Sequence, residues 1–273
     1  MLVRQDLHIH TYLSPCANAT ATAAHYVEKA KALHLDTIAI TDHMWDPKIS
    51  IAYGDAEWYH SYHLTPEHIA RARADAEAVP HEGLRILFGC ETEYDRIRRR
   101  PAIHPETAAR MEVLLAPNSH THCTMPKELY EPYSRHADYL VQAFMDIVTS
   151  DVADYITAIP HPFLAVGCPY DNRLLFPEIG EKRFSECFQA AAEAGIAMEI
   201  NTSSLSAHYK DAPELMTAVR NDPTMEMFRL AKKAGCKFTF GSDSHDEKHH
   251  DTFPAAVIAA EYLGLTEADI LYL

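Results

Sequence analysis

The chain has no long hydrophobic run. No apolar stretch approaches the roughly 18–20 residues that a membrane span needs, so neither a spanning helix nor a membrane partner is expected. Positive charge is scarce. The 24 Lys and Arg face 39 Asp and Glu, a formal charge of −15 at pH 7. Proteins that grip nucleic acid carry basic patches, so no nucleic-acid partner is expected either. Paired cysteine spacings are absent as well. Cys16, Cys90, Cys123, Cys168, Cys187 and Cys236 lie scattered, which argues against a disulfide framework and fits the reduced thiols of a cytoplasmic protein. The N-terminus shows no signal-peptide pattern, because Arg4, Gln5 and Asp6 interrupt it. Internal repeats, linkers and low-complexity tracts are missing, so residues 1–273 are expected to form one domain, at a length common for single α/β barrels.

What the chain does have is a recurring ending. Short apolar runs close on histidines and carboxylates: Asp6-Leu7-His8-Ile9-His10, Thr41-Asp42-His43, Gly89-Cys90-Glu91, His120 with His122, Pro160-His161-Pro162 and Gly241-Ser242-Asp243-Ser244-His245. The runs themselves, Leu2–His8, Thr37–Thr41, Arg85–Gly89, Val113–Ala116, Tyr155–Ile159, Ile196–Ile200 and Lys237–Gly241, read as strands buried on both faces. Helix signals lie between several of them. Thr22 to His34 has helical spacing. Thr65-Pro66-Glu67 offers a cap, a first-turn proline and an acidic first turn. Arg135–Val148 and Glu178–Ala194 also read as helices, the latter stopped at Ala194-Gly195. Ala234-Gly235 stops another in the same way. Strands alternating with helices predict a parallel βα architecture. Three stretches fit no period: Asp46–His63, Arg96–Pro105 and Ala116–Tyr133. They are expected to be long loops at the C-terminal face of a barrel.

The ligand chemistry follows from residue type and spacing. His8 and His10, at i and i+2 on a strand, share one face and can address one ion. Glu91 can bridge two ions through its two oxygens. Asp243 and His245 repeat the i+2 spacing, and His43, His120 and His161 come from three further strand ends. This is more than one ion can use, so two or three neighbouring metals are expected. Imidazole and carboxylate sites accept zinc, manganese and iron alike.

These motifs, in this order, resemble the PHP family, named for its polymerase and histidinol phosphatase members. The resemblance runs from Asp6-Leu7-His8-Ile9-His10-Thr11 through Ala39-Ile40-Thr41-Asp42-His43 and Glu199-Ile200-Asn201-Thr202-Ser203-Ser204 to Gly241-Ser242-Asp243-Ser244-His245. It implies a distorted (β/α)7 barrel with metals at the C-terminal ends of the strands. Carried over, a first metal takes His8, His10, Glu91 and Asp243. A second shares Glu91 and adds His120 and His161. A third takes His43 and His245. Cys16 stands near the place where three-metal members have a further ligand. His122 is an alternative to His120, a neighbour of the substrate, or part of a solvated loop.

The resemblance implies hydrolysis of a small-molecule phosphate ester. A hydroxide bridging two metals is available near neutral pH, so no covalent role is assigned to Ser203 or Cys123. His245 or His43, where free of metal, is a candidate proton donor, and Asp42 a candidate for orienting a ligand histidine through its second N–H. Phosphate favours Arg. Arg96, Arg98, Arg99, Arg100, Arg135 and Arg173 are candidates, with Ser203 and His122 as further substrate contacts. Tyr53, Trp58, Tyr59 and Tyr62 either line a pocket or fold onto the rim. Two other readings compete: a metal-dependent hydrolase of amides or esters, which the same hydroxide chemistry serves, and a non-catalytic regulatory module, against which the full ligand set argues.

Overall fold

The computed structural model describes residues 2–46, 66–166, 171–206, 212–246, 251 and 253–273. Tyr53, Trp58, Tyr59, Tyr62, Thr65 and Cys168, with all of the aromatic stretch after Asp46, lie outside the described residues. In chain order the strands are β1 (Gln5–Ile9), β2 (Thr37–Ile40), β3 (Arg85–Glu91), β4 (Tyr94–Asp95), β5 (Arg100–Pro101), β6 (Val113–Leu115), β7 (Ala158–Ile159), β8 (Ala197–Asn201) and β9 (Phe238–Gly241). Seven of them form one parallel sheet in the order β1-β2-β3-β6-β7-β8-β9. The sheet curls until its edges meet. Asp243 N donates to His8 O at 2.8 Å and His10 N to Ser244 O at 2.9 Å. The buried Asp6 carboxylate accepts from Ser242 N at 2.9 Å and His8 N at 3.2 Å. The result is a nearly closed seven-stranded barrel.

Period-two alternation sets what faces inward. Leu7, Ala39, Leu87, Val113, Leu115, Ala158 and Ala197 form a buried apolar layer inside the barrel, on which Leu271 and Leu273 pack. Their neighbours Ile38, Leu114, Ile159, Met198 and Ile200 belong to the larger core shared with the helices. Two residues further along the inward rows come Glu91 after Gly89 on β3, and Glu199 and Asn201 after Ala197 on β8. The inward face thus changes from apolar to polar toward the C-terminal strand ends. On β1 the pairing register shifts between Asp6 and Ile9. That irregularity lets Leu7 join the apolar layer while His8 and His10 still face the interior above it.

Close approach explains one glycine. A Cβ at Gly89 would sit 1.7 Å from Val113 O, so β3 and β6 can pair here only without a side chain.

The expected helices form, with one larger difference in bounds, and the fold adds Ala212–Asn221, Ala255–Leu263 and, inside the expected loop Ala116–Tyr133, the short helix Thr121–Thr124. Ala23–Ala32 is capped by Thr22, whose side chain accepts from His25 N. Tyr133–Val148 starts two residues before the expected Arg135. Asn172–Glu193 starts six residues before the expected Glu178, capped by Asp171, and is interrupted at Gly180 with φ 75°. Pro177 and Gly180 break the sequence period, yet the chain resumes its helix beyond them. Asp222 caps the helix Pro223–Lys233, which has Pro223 in its first turn and ends before the Ala234-Gly235 stop. Within Arg96–Pro105, expected as loop, Arg100–Pro101 pairs antiparallel with Tyr94–Asp95. The described part of the chain contains no helix long and apolar enough to cross a membrane.

Candidate metal centre

The polar ends of the strands converge on one buried cluster. His8 Nε2 lies 3.0 Å from His10 Nε2. Oε2 of Glu91 is 3.5 Å from both of these nitrogens. Oδ1 of Asp243 is 3.5 Å from the first and 3.3 Å from the second. Four ligands around zinc at bonds of roughly 2.0–2.1 Å stand about 3.3–3.4 Å apart, which is the spacing seen here. The tautomers agree with this reading. His8 Nδ1–H donates to Glu199 at 2.9 Å. Ser14 Oγ donates to Asp42 at 2.6 Å and so accepts from His10 Nδ1–H at 3.1 Å. Two Nε2 lone pairs then face each other, an arrangement that a shared cation or proton relieves.

Glu91 points its other oxygen the opposite way. Oε1 is 3.0 Å from His161 Nε2 and 3.5 Å from His120 Nε2. His120 Nδ1–H donates to Glu93 at 3.0 Å, and His161 Nδ1 is hydrogen-bonded to Ser119 Oγ at 2.5 Å. A third group, His10, His43 and His245, gathers beside the first. His43 Nδ1 is 3.1 Å from Glu91 Oε2. Both atoms are buried and neither has a hydrogen-bond partner. A buried polar atom left unpaired costs roughly 1–3 kcal/mol, so the donor set fits cations and is otherwise poorly satisfied. The backbone carries strain here too. His161 and Asp243 adopt positive φ of 32° and 53°, unusual for side chains with a Cβ and typical of functional positions.

Burial opposes protonating His8, His10 and His120, but the carboxylates of Glu199, Asp243, Glu91 and Glu93 around them outweigh it and raise all three. Burial disfavours ionising Glu91, but the charges of His120 and His8, with His10 and His161 close by, outweigh it and hold the carboxyl well below its usual range. Asp243 is held down in the same way, burial being outweighed by His8, His10 and His245. Burial and the neighbouring His10 take His245 down to about 4 and His43 well below its ordinary value, so both imidazoles stay neutral, as ligands must.

A cavity of about 190 Å³ opens on the cluster, lined by Pro15, Cys16, His43, Glu91, His120, His122, Val166, Asp243 and His245. Cys16 stands at its wall, with its thiol pushed up by burial and then by the charges of Glu91 and Asp243. It belongs to none of the three groups of converging ligand atoms. His122 Nδ1–H donates to Val166 O at 2.8 Å. Asp42 meets Thr11 N and Oγ1, each at 2.7 Å, and reaches His10 through Ser14 rather than by taking its N–H directly.

The other sequence candidates lie elsewhere. Arg98 pairs with Asp95 at 2.7 Å inside the β4–β5 turn. Arg99 grips Asp146 and Arg100 meets Asp151. Arg135 is exposed on its helix and Ser203 half-buried on Thr202–Ser206. Arg173 lines a separate, larger apolar groove with Phe176, Phe184, Met227 and Leu230. None of Arg98, Arg135, Arg173 and Ser203 lines the cavity over the cluster. Glu93, Glu199, Ser14 and Ser119 hold the histidines, with Asn201 behind Glu199; the sequence pattern marks only the Glu199–Ser204 run among them, through its resemblance, and assigns none of them a contact. The signal for the first two was the same i+2 spacing that marked His8 and His10: Glu93 follows Glu91, and Asn201 follows Glu199.

The family profile described as the PHP domain matches residues 6–203. The chain belongs to the PHP domain family. Curated relatives of this PHP protein include a "Probable phosphatase" of Edwardsiella ictaluri (strain 93-146), 26% identical over 242 residues, which span 88% of this chain and 78% of the relative. Another, from Vibrio atlanticus (strain LGP32), carries the same description and is 23% identical over 248 residues, 90% of this chain and 79% of the relative. Among solved structures, the histidinol phosphate phosphatase of Lactococcus lactis subsp. lactis Il1403, complexed with zinc, L-histidinol and phosphate, superposes with a TM-score of 0.65 at 18% identity, covering 96% of this chain and 94% of its own. A histidinol phosphatase candidate from Listeria monocytogenes gives 0.64 at 16% identity, with 90% and 96% covered. Both likenesses establish the PHP barrel as the fold.

Proposed function

We propose that this PHP protein is a metal-dependent phosphatase acting on a small phosphate ester. The observation that carries the reading is Glu91, whose two oxygens face two separate sets of imidazoles from inside a nearly closed barrel. His8, His10, Glu91 and Asp243 would hold a first ion, and Glu91, His120 and His161 a second. His43 and His245 would hold a third, with Cys16 at the cavity wall but outside the converging ligand atoms. Zinc is the favoured ion, manganese and iron the alternatives. When bound, the ions supply an activated water near neutral pH and positive charge for the phosphoryl oxygens.

The chain's own residues do the rest. Glu93 and Glu199 fix the tautomers of His120 and His8, so that Nε2 of each faces the cluster. Asp42 and Ser14 do the same for His10. His43 and His245 stand at the cavity wall, and an imidazole not engaged with metal is placed to serve the leaving oxygen. His122 reaches the same wall and offers a contact to the substrate. The narrow cavity favours a small leaving group. We read residues 1–273 as one domain, since Leu271 and Leu273 pack on the barrel's apolar layer, and place it in the cytoplasm, in keeping with its described cysteines being free thiols.

The test is a panel of phosphomonoesters including L-histidinol phosphate, with cyclic phosphodiesters, amides and carboxylic esters, assayed with added zinc or manganese. Phosphate release from monoesters is expected. Turnover of amides or esters without any phosphate release would overturn the reading.

A further inference from the structure

The first site draws its ligands from β1, β3 and the segment after β9, yet its geometry also depends on β8. Glu199 is fully buried on β8. Its carboxylate accepts from His8 Nδ1–H, with the two oxygens at 2.9 and 3.1 Å. Asn201, two residues along the same inward row, donates its amide Nδ2 to Glu199 Oε1 at 2.9 Å and to Asp243 Oδ2 at 3.3 Å. The orientation of that amide is fixed independently. Asn201 Oδ1 accepts from Ser204 N and Ser204 Oγ, both at 3.0 Å, at the start of the helix Thr202–Ser206. Nδ2 is therefore left to face the two carboxylates.

Strand β9 leaves room for this arrangement. A Cβ at Gly241 would stand 2.5 Å from Glu199 Oε2 and 2.6 Å from His8 Cβ. The space a side chain would fill at 241 is the space the Glu199–His8 pair occupies. The pair is thus built into three strands at once: the carboxylate from β8, the imidazole from β1 and the cradle from β9.

We propose that Glu199 is the positioning residue of the first metal site, fixing the imidazole of His8 directly and the carboxylate of Asp243 through Asn201. This rests on the metal reading above. The second site is held by different groups, Glu93 on His120 and Ser119 on His161. Losing Glu199 therefore weakens one site and spares the other. Gln is the informative replacement. It keeps the volume of Glu199 but puts an NH2 where an oxygen accepts, setting donor against donor at either His8 or Asn201.

The experiment measures zinc binding to the chelator-stripped full chain, by competition against a chromophoric chelator and by metal analysis. Glu199→Gln is expected to lose about 10- to 100-fold affinity for one equivalent, with the remaining affinity unchanged. Unchanged affinity for every equivalent would overturn the proposal, as would an equal loss at all of them. If Glu199→Gln does not fold, Asn201→Ser takes its place and is expected to weaken one equivalent more modestly; no change in that variant overturns the proposal. Wild-type protein that binds no zinc would overturn the metal reading itself, a result distinct from a variant that matches a zinc-binding wild type.

Discussion

Ser14 Oγ is 3.1 Å from His10 Nδ1 and donates its own hydrogen bond to Asp42 at 2.6 Å. The hydroxyl therefore relays the buried carboxylate to the imidazole and leaves Nε2 of His10 free toward Glu91 and Asp243. Ser14→Ala removes the relay without touching a metal-facing side chain. We expect roughly 10- to 100-fold lower activity or metal affinity. Asp42→Asn should act in the same direction. Phosphatase assays with parallel metal analysis check this, and a fully active Ser14→Ala enzyme would sink the relay.

Glu91→Gln is the sharpest test of the shared carboxylate. Removing its charge leaves two sets of imidazoles without their common anion. Turnover should fall about a thousandfold or more, and metal content should drop. Full activity in this variant would refute the bridging role.

Metal removal should register in stability as well as activity. Ions that bind only the folded chain stabilise it by about 4 kcal/mol when free metal stands a thousandfold above Kd. For a chain of this size that is a fall in Tm of roughly 10 °C on chelation, reversed by added zinc or manganese. Metal analysis of protein never exposed to chelator should find two or three equivalents. An unchanged Tm with less than one equivalent bound would count against the centre.

Cys16→Ser reports on the third site. The thiol lines the cavity but lies outside the converging ligand groups. Unchanged metal stoichiometry is expected from that placement. Loss of one equivalent would instead make the thiolate a ligand.

His136 predicts an acid limb of stability unrelated to metal. Its ring stacks on Tyr130 at 5.8 Å, and burial lowers its pKa from 6.5 to about 4. The unfolded chain takes up a proton that the folded chain refuses. The stability due to the neutral ring is therefore complete above pH 6.5 and is lost as pH falls from there to about 4. His136→Phe should flatten this limb in the chelator-stripped protein, read as the dependence of denaturation midpoint on pH. Parallel pH profiles for variant and parent would refute it.

Much of this was legible before any coordinates. The strands from Thr37 and Arg85 were readable because both of their faces are buried, which leaves a continuous apolar run. The histidines and carboxylates stood out because they end those runs. The hairpin at Arg100 was hidden, because two-residue strands carry no period. The helix before Glu178 was hidden by Pro177 and Gly180, which look like a stop and are only an interruption.

The sequence by itself determined the alternating βα order and marked the histidines and carboxylates that the fold gathers at one end of the barrel, because period and residue type are local properties. The tertiary structure alone decided which nitrogen of each histidine faces the cluster and which groups hold it there. Glu199 and His8 lie 191 residues apart. Arg98 and Arg173 are as basic as any phosphate ligand, yet the fold turns them to Asp95 and to an apolar groove. Such pairings depend on barrel closure, which brings β8 and β9 against β1, and no local pattern in the chain encodes that meeting.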